Sequence, residues 1–190
     1  MTVDALPVGA SALDALAAVL EYPRDGFAAR VRDAQAAVAA ILPAAADGLE
    51  AFRLHVEASA VDALEEGYTR TFDWSPTCCL EVGWHLFGEQ YDRGSFMVAM
   101  RERLRACGVE EGTDLPDHLG SCLRWLGRAP ASEARTVASQ ALLPALAKIR
   151  AGLAGDPPPG VAPYATVIRA VEDVVRALAE EETVRAGDVR

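Results

Sequence analysis

Cys78 and Cys79, with His85 six residues on, are the side chains of this chain best suited by type to hold a metal. Their spacing is poor for it. Adjacent cysteines point in different directions, no Cys-x-x-Cys pair exists, and a structural zinc site needs four ligands. The remaining cysteines, Cys107 and Cys122, fall on apolar stripes, so packing of small soft side chains is the simpler role. Glu81, His85 and Glu89 follow at i, i+4 and i+8, which on a helix is one face. A histidine between two carboxylates is a general-base arrangement. No nucleophile stands beside it: there is no Gly-x-Ser-x-Gly elbow, glycine-rich phosphate loop or His-Glu-x-x-His motif. A solvated face is the simpler role here too. Asp117-His118 follows Pro116, and its spacing from Asp114 reads as the capped first turn of a helix, with His118 exposed or half-buried.

These groups share a stretch rich in rings. Seven of the chain's 12 aromatics lie between Tyr68 and Phe96, more than one core stripe needs. Tyr68, Phe72, Trp84, Phe87 and Phe96 fit core positions at helical spacing. Trp74 and Tyr91 sit at helix ends beside the Ser75-Pro76 break. Rings with a polar tip suit a wet groove or interface.

The elements that must position them are helices. Leu13, Leu16, Ala17 and Leu20 form a first stripe behind a cap at Ser11. Phe27, Val31, Ala34, Val38 and Ile41 form a second, stopped by Pro43. Leu49, Phe52 and Val56 form a third. Val61, Leu64, Tyr68 and Phe72 form a fourth, flanked by the Glu66–Arg70 pair. Leu80, Trp84, Phe87 and Tyr91 continue the pattern. Asp92 caps a helix with Phe96, Met100, Leu104 and Cys107 inside, ended by Gly108. Leu115, Leu119, Cys122 and Leu126 lie behind Asp114. A long helix from Ser132 carries Leu142, Leu146, Ile149 and Leu153, kinked at Pro144. Val167, Val171, Val174 and Leu178 mark the last helix. No run alternates with period two, so no sheet is expected. The expectation is one all-α domain over residues 1–190, a bundle of about eight or nine helices. Residues 155–160 form a loop, and 1–9 and 183–190 are frayed.

A net charge of −10 disfavours nucleic acid as a partner and favours basic ones. The opening MTVDALPVGAS carries Asp4 and no basic stretch, so it does not read as a signal peptide. The run AAVAAILPAAA is far short of the roughly 20 apolar residues of a span. No membrane insertion is expected.

The segments LEEGYTRTFDWSPTCCLEVGWHLFGEQYDRGSFM and DLPDHLGSCLRWL resemble the NarJ branch of the TorD/DmsD-type chaperones, the nitrate reductase delta subunits. Glu66, Tyr68, Thr69, Arg70, Phe72 and Asp73 carry the likeness. So do His85-Leu86-Phe87-Gly88, Arg93-Gly94 and Leu115 to Leu119. Cys78-Cys79 departs from the small or apolar residues usual there, and Leu115 from the acid some relatives carry. The resemblance implies a TorD-like helical fold and a cytoplasmic chaperone with no catalytic residue, metal or cofactor of its own. Its partner would be the N-terminal segment of an apo-molybdoenzyme catalytic subunit, most naturally that of nitrate reductase, in nitrate assimilation or anaerobic respiration. It would hold that subunit until molybdenum cofactor insertion and delay membrane docking or export. Cofactor delivery proteins would be further partners. The implied peptide-binding residues are Glu66, Tyr68, Arg70, Phe72, Trp74, Trp84, His85, Tyr91, Asp117 and His118. An aromatic floor (Tyr68, Trp74, Trp84, Tyr91) and an acidic rim (Glu65, Glu66, Glu81, Glu89, Asp117) would suit a basic, amphipathic peptide. Two alternatives stand beside this: a permanent subunit of the reductase complex, and a metal-dependent helical enzyme using His85 and the cysteines.

The cysteine spacing predicts that protein purified under reducing conditions carries no stoichiometric metal. Elemental analysis checks this, and zinc or iron that resists chelation would overturn it.

Overall fold

A computed structural model describes residues 9–110, 112–155 and 163–185. The expected loop at 155–160 and the expected frayed ends fall almost wholly outside them. Among the described residues the chain is helical throughout: α1 (Ala10–Val19), α2 (Phe27–Ala39), α3 (Pro43–Gly48), α4 (Glu50–Ala58), α5 (Val61–Tyr68), α6 (Val82–Phe87), α7 (Tyr91–Ala106), α8 (Leu119–Leu126), α9 (Ala131–Val137), α10 (Leu143–Gly152) and α11 (Tyr164–Arg185). A π turn, Thr69–Asp73, extends α5, and a second, Ala138–Leu142, joins α9 to α10. The second explains how a proline sits inside one long helix. Pro144 offers no N–H to the ladder. The π turn ahead of it widens the ladder, and Leu143 N–H bonds back to Ala138 O.

One contiguous core runs through the bundle. α1 packs between α2 and α8, and α11 lies along α3, α10 and the second π turn. Most of the apolar stripes are buried as their period requires: Leu13, Leu16, Val31, Val38, Phe52, Leu64, Leu119, Leu146, Val167 and Val171 are all within the core, while Val61 and Tyr91, at helix starts, are exposed. Each such side chain contributes about 1.5–3 kcal/mol by leaving water. At the centre six rings touch edge to face or tilted. Tyr164 lies 4.9 Å from Phe52, 4.8 Å from Phe72 and 6.0 Å from Tyr68. Phe27 joins through Phe52, and Tyr22 through Tyr68. Phe87 and Phe96 form a separate pair at 5.9 Å. The aromatic stretch of the sequence is therefore divided: Tyr68 and Phe72 anchor the main core, and Phe87–Phe96 closes α6 on α7.

Several expected boundaries move. α1 starts one residue before Ser11, with Gly9 as its uncapped start. α7 starts at Tyr91, which puts Asp92 in its first turn and Arg103 and Arg105 in its last, the charge order that its dipole favours. No helix begins at Asp114. The chain instead turns through Pro116 and starts α8 at Leu119, leaving Leu115 47% exposed and off the expected stripe. Residues 80–82 and 117–119 meet as a single antiparallel bridge, Glu81 opposite His118. Val82 N–H donates to Asp117 O (2.8 Å) and Leu119 N–H to Leu80 O (2.7 Å). A lone bridge leaves no period-two run in the sequence.

Gly152 closes α10 against the loop that carries the paired cysteines. A Cβ there would lie 2.5 Å from Thr77 O and 3.0 Å from Cys78 Sγ. Backbone cannot give way as a side-chain end can, so Gly152→Ala is expected to cost about 1–3 kcal/mol. Thermal unfolding should show a drop of roughly 2–4 °C per kcal/mol in a domain of this size. Gly48→Ala, which meets nothing within 4 Å, is the matched control and should leave the melt unchanged or raise it.

Candidate functional site

The antiparallel bridge brings the loop before α6 and the loop before α8 together over the end of α5. Between them opens a cavity of about 360 Å³. Tyr22, Tyr68 and Phe72 supply rings to its lining, Asp73, Glu81 and Asp114 supply carboxylates, and Cys79, Leu80 and His118 complete it. The π turn shapes one wall. Thr71 Oγ1 donates to Gly67 O (2.7 Å) and Trp74 N–H to Thr69 O (3.0 Å), and the widened turn carries Phe72 inward and Asp73 outward. Tyr68 Oη donates to Leu20 O (2.9 Å), which fixes its ring against the end of α1. Burial raises the Tyr68 phenol far above its usual range, so it stays a neutral donor.

Asp117 and His118 are buried, which corrects the expectation of an exposed first turn. Asp117 is 0% exposed. Arg93 Nε donates to its Oδ2 (3.3 Å), while Oδ1 has no partner. Burial pushes its carboxyl above 3.8, and the Arg93 charge pulls the other way. The same guanidinium lies over the Trp84 ring, 5.6 Å from its centroid, within cation–π range. Trp84 Nε1 donates to Pro76 O (2.9 Å). Gly83 allows this packing, since a Cβ on it would stand 2.7 Å from Asp117 Oδ2. His118 caps α8: its Nδ1 accepts from Gly120 N–H (3.1 Å), so the ring proton is on Nε2. Its pKa is lowered, first by burial.

The expected Glu81–His85–Glu89 face does not form. α6 ends at Phe87, and Gly88 turns the chain with φ of 60°, a conformation open to glycine, so Glu89 leaves the helix. His85 faces inward, reversing the expected orientation. Its Nε2 donates to Cys79 O (2.8 Å), and Lys148 Nζ donates to His85 O (2.5 Å). Burial lowers its pKa. Cys79 Sγ lies 3.7 Å from that ring nitrogen, and burial pushes its thiol up to about 12. A protonated thiol beside a donating imidazole is neither a nucleophile nor a ready ligand. All four cysteines are free, and among the described residues no three His, Cys, Asp or Glu side chains are grouped to hold a metal.

Of the ten implied peptide-binding residues, the cavity gathers Tyr68, Phe72 and His118. Trp84 and Asp117 meet at Arg93 instead, and Asp117, being fully buried, forms no rim. Glu66 and Arg70 pair with each other on the exposed side of α5 (2.5 Å). Trp74 and Tyr91 are 72% and 88% exposed. His85 is buried against the loop carrying Cys79. Of the expected acidic rim, Glu81 alone lines the cavity. Tyr22, Asp73 and Asp114 line it without having been singled out as binding residues; the signal for Tyr22 was an aromatic directly before a proline at a helix end.

The pattern of the nitrate reductase delta subunit family matches residues 31–156, about two thirds of the chain. The chain belongs to that family. It is the NarJ-type group of maturation chaperones, and the match spans α5, the bridge and α8. No curated protein matches the chain. Among the described residues no helix is long and apolar enough to cross a membrane.

Burial sets the outcome of substitutions here. Asp117→Ala leaves Arg93 without its partner and is expected to cost about 3–5 kcal/mol, far beyond the ~1 kcal/mol of a lost cap. Denaturant unfolding checks this. A histidine with a lowered folded pKa binds more protons unfolded, so the stability it contributes is complete above about pH 6.5 and declines below it. The parent should therefore lose stability on acidification from pH 7 to 5. His118→Asn retains a cap acceptor but does not titrate, and should lose less; His55 and His85, shifted the same way, add to the parent's loss, and Asp117, shifted upward, offsets part of it.

Proposed function

We propose that this chain is a cytoplasmic chaperone that binds the N-terminal segment of the apo-catalytic subunit of nitrate reductase. It holds that subunit open for molybdenum cofactor insertion and delays its docking or export. The observation that carries this reading is the cavity between the π turn of α5 and the bridge. It has an aromatic floor, an acidic mouth and no group poised for turnover. Family membership supports the client, and the cavity supports the mode of binding.

The physics suits a transient partner. A client segment that is disordered when free must be ordered on binding, which costs about 2–5 kcal/mol of the gross interaction. Affinity is then moderate, and release follows once the loaded subunit folds its own N-terminus away. The acidic mouth acts mainly on encounter. At physiological salt the Debye length is about 8 Å, so steering reaches little further than the mouth itself.

The exposed rings have a place in this scheme. Trp74 leaves the π turn directly beside the cavity residues Phe72 and Asp73, and so can cover a bound segment without contributing to the core. Neutral His118, with its proton on Nε2, offers a hydrogen bond to a backbone carbonyl.

Two measurements test the reading. Chaperone recovered from its native cell should carry the apo-catalytic subunit and be absent from mature reductase; stoichiometric presence in the mature enzyme would establish a permanent subunit instead. In stopped-flow experiments, association with a peptide copying the client's N-terminus should slow as salt rises from about 20 to 150 mM, with dissociation changing less.

A further inference from the structure

The charges and rings lining the cavity say which side chain it selects. Asp73, Glu81 and Asp114 face it, and no Lys or Arg lines it. Asp73 and Asp114 are exposed and free to close on a ligand. Tyr22 packs edge-on against Tyr68 at 5.4 Å, and Tyr68 against Phe72 at 5.1 Å, so the rings meet at steep angles and form a cupped floor. His118 is 7% exposed. Its Nδ1 is taken by Gly120 N–H, and its Nε2–H has no hydrogen-bond partner among the described residues. Carboxylates alone would suit many cations. Carboxylates above aromatic faces, with one buried donor beside them, suit a flat cation attached to a backbone.

We propose that this cavity receives one arginine side chain of the bound segment, its guanidinium stacked on the Tyr22–Tyr68–Phe72 rings and paired with Asp73, Glu81 and Asp114, while His118 Nε2–H donates to a backbone carbonyl of the same segment. This rests on the peptide-binding reading above. Arginine is favoured over lysine because its planar, weakly hydrated cation stacks on rings and forms paired bonds to a carboxylate, whereas an ammonium keeps its water. The volume of about 360 Å³ is near the lower end of ligand sites, which suits one long side chain rather than a helix lying within it. Beyond Tyr22 and Asp114 the surface continues into a second cavity of about 700 Å³, giving the rest of the segment a path. Arg24, Arg30, Arg124 and Arg128 line that second cavity, where Glu21 engages Arg30 and Arg124 and Asp14 engages Arg128.

The test uses synthetic peptides of the N-terminal segment of the nitrate reductase catalytic subunit, with each basic residue replaced in turn by citrulline, a neutral isostere of arginine, or by lysine. Titration calorimetry with the full chain should find one position where citrulline weakens binding about tenfold and lysine less. The same peptides are then titrated into the Asp73→Asn/Asp114→Asn double variant. Both residues are exposed, so the variant should melt like the parent, and its citrulline penalty should fall to about threefold or less. Asp47→Asn, an exposed acid outside the cavity, should retain the full penalty. A parent that binds every citrulline peptide equally, or a penalty unchanged in the double variant, overturns the arginine assignment and leaves peptide binding standing. A parent that binds no peptide at all overturns the peptide-binding reading itself.

Discussion

Two backbone hydrogen bonds hold the candidate site together. Val82 N–H to Asp117 O and Leu119 N–H to Leu80 O pair loops that are more than thirty residues apart in sequence. Among the described residues neither loop has another regular partner, and each leads directly into a short helix, α6 or α8. Without the pairing, the four polar backbone groups would be left in a region too buried for water to satisfy them. With it, the entry points of α6 and α8 are fixed relative to each other. Glu81 and His118, opposed across the bridge, are then carried together to the cavity. Asp117 follows on the other side of the strand, toward Arg93. One bridge therefore divides two adjacent residues between two tasks: His118 to the cavity, Asp117 to the ion pair that anchors α7.

The second support is the ring network around Tyr164. It joins α2, α4, α5 with its π turn, and α11 through contacts of 4.8–6.2 Å. Pairs of this kind contribute about 0.5–1.5 kcal/mol beyond burial. The network makes the cavity floor an outer edge of the core. Tyr68 and Phe72 pack inward on Tyr164 and also line the cavity. A floor continuous with the core moves little when a ligand arrives. The mouth, built from a π turn and the turn around Asp114, can adjust. A rigid floor under an adjustable mouth suits the segment-binding role proposed above.

How much of this was legible depended on the range of the interaction. The buried stripes were readable because helical period reports a local demand: Leu13, Val31, Phe52 and Val171 had to face inward whatever they met. The same rule failed where tertiary contact overrode it. Leu115 matched the stripe of α8 by spacing, but the bridge forces the chain to turn at Pro116, and Leu115 is left outside. Asp117 followed a cap-like residue and a proline at helix-start spacing, yet its carboxylate is claimed by Arg93, 24 residues away, which no local pattern encodes. His85 was placed outward because a longer helix was assumed; Gly88 ends α6 early and the ring turns in. Tyr164 was missed at the edge of its own stripe, although its position as first residue of α11 makes it the hub of the rings. The family likeness pointed to the segments that the bridge brings together, while the placement of residues within them depended on pairings that only the fold supplies.

Asp117 also shows what the arrangement costs. A carboxylate with one oxygen orphaned and its pKa pushed upward is a destabilising element on its own account. An apolar residue of similar size would stabilise a core better, as buried ion pairs generally offer little net stability. The pair does something a hydrophobe cannot. It fixes Arg93 in direction, and Arg93 in turn lies over Trp84, whose indole N–H is bonded to Pro76 O. The chain from Asp117 to Pro76 thus ties the bridge to the Ser75-Pro76 break that follows the π turn. Both walls of the cavity, the π turn on one side and the Asp114–His118 turn on the other, are referenced to one buried charge. Directional bonds at this distance from the opening set the spacing of the walls without packing the space between them.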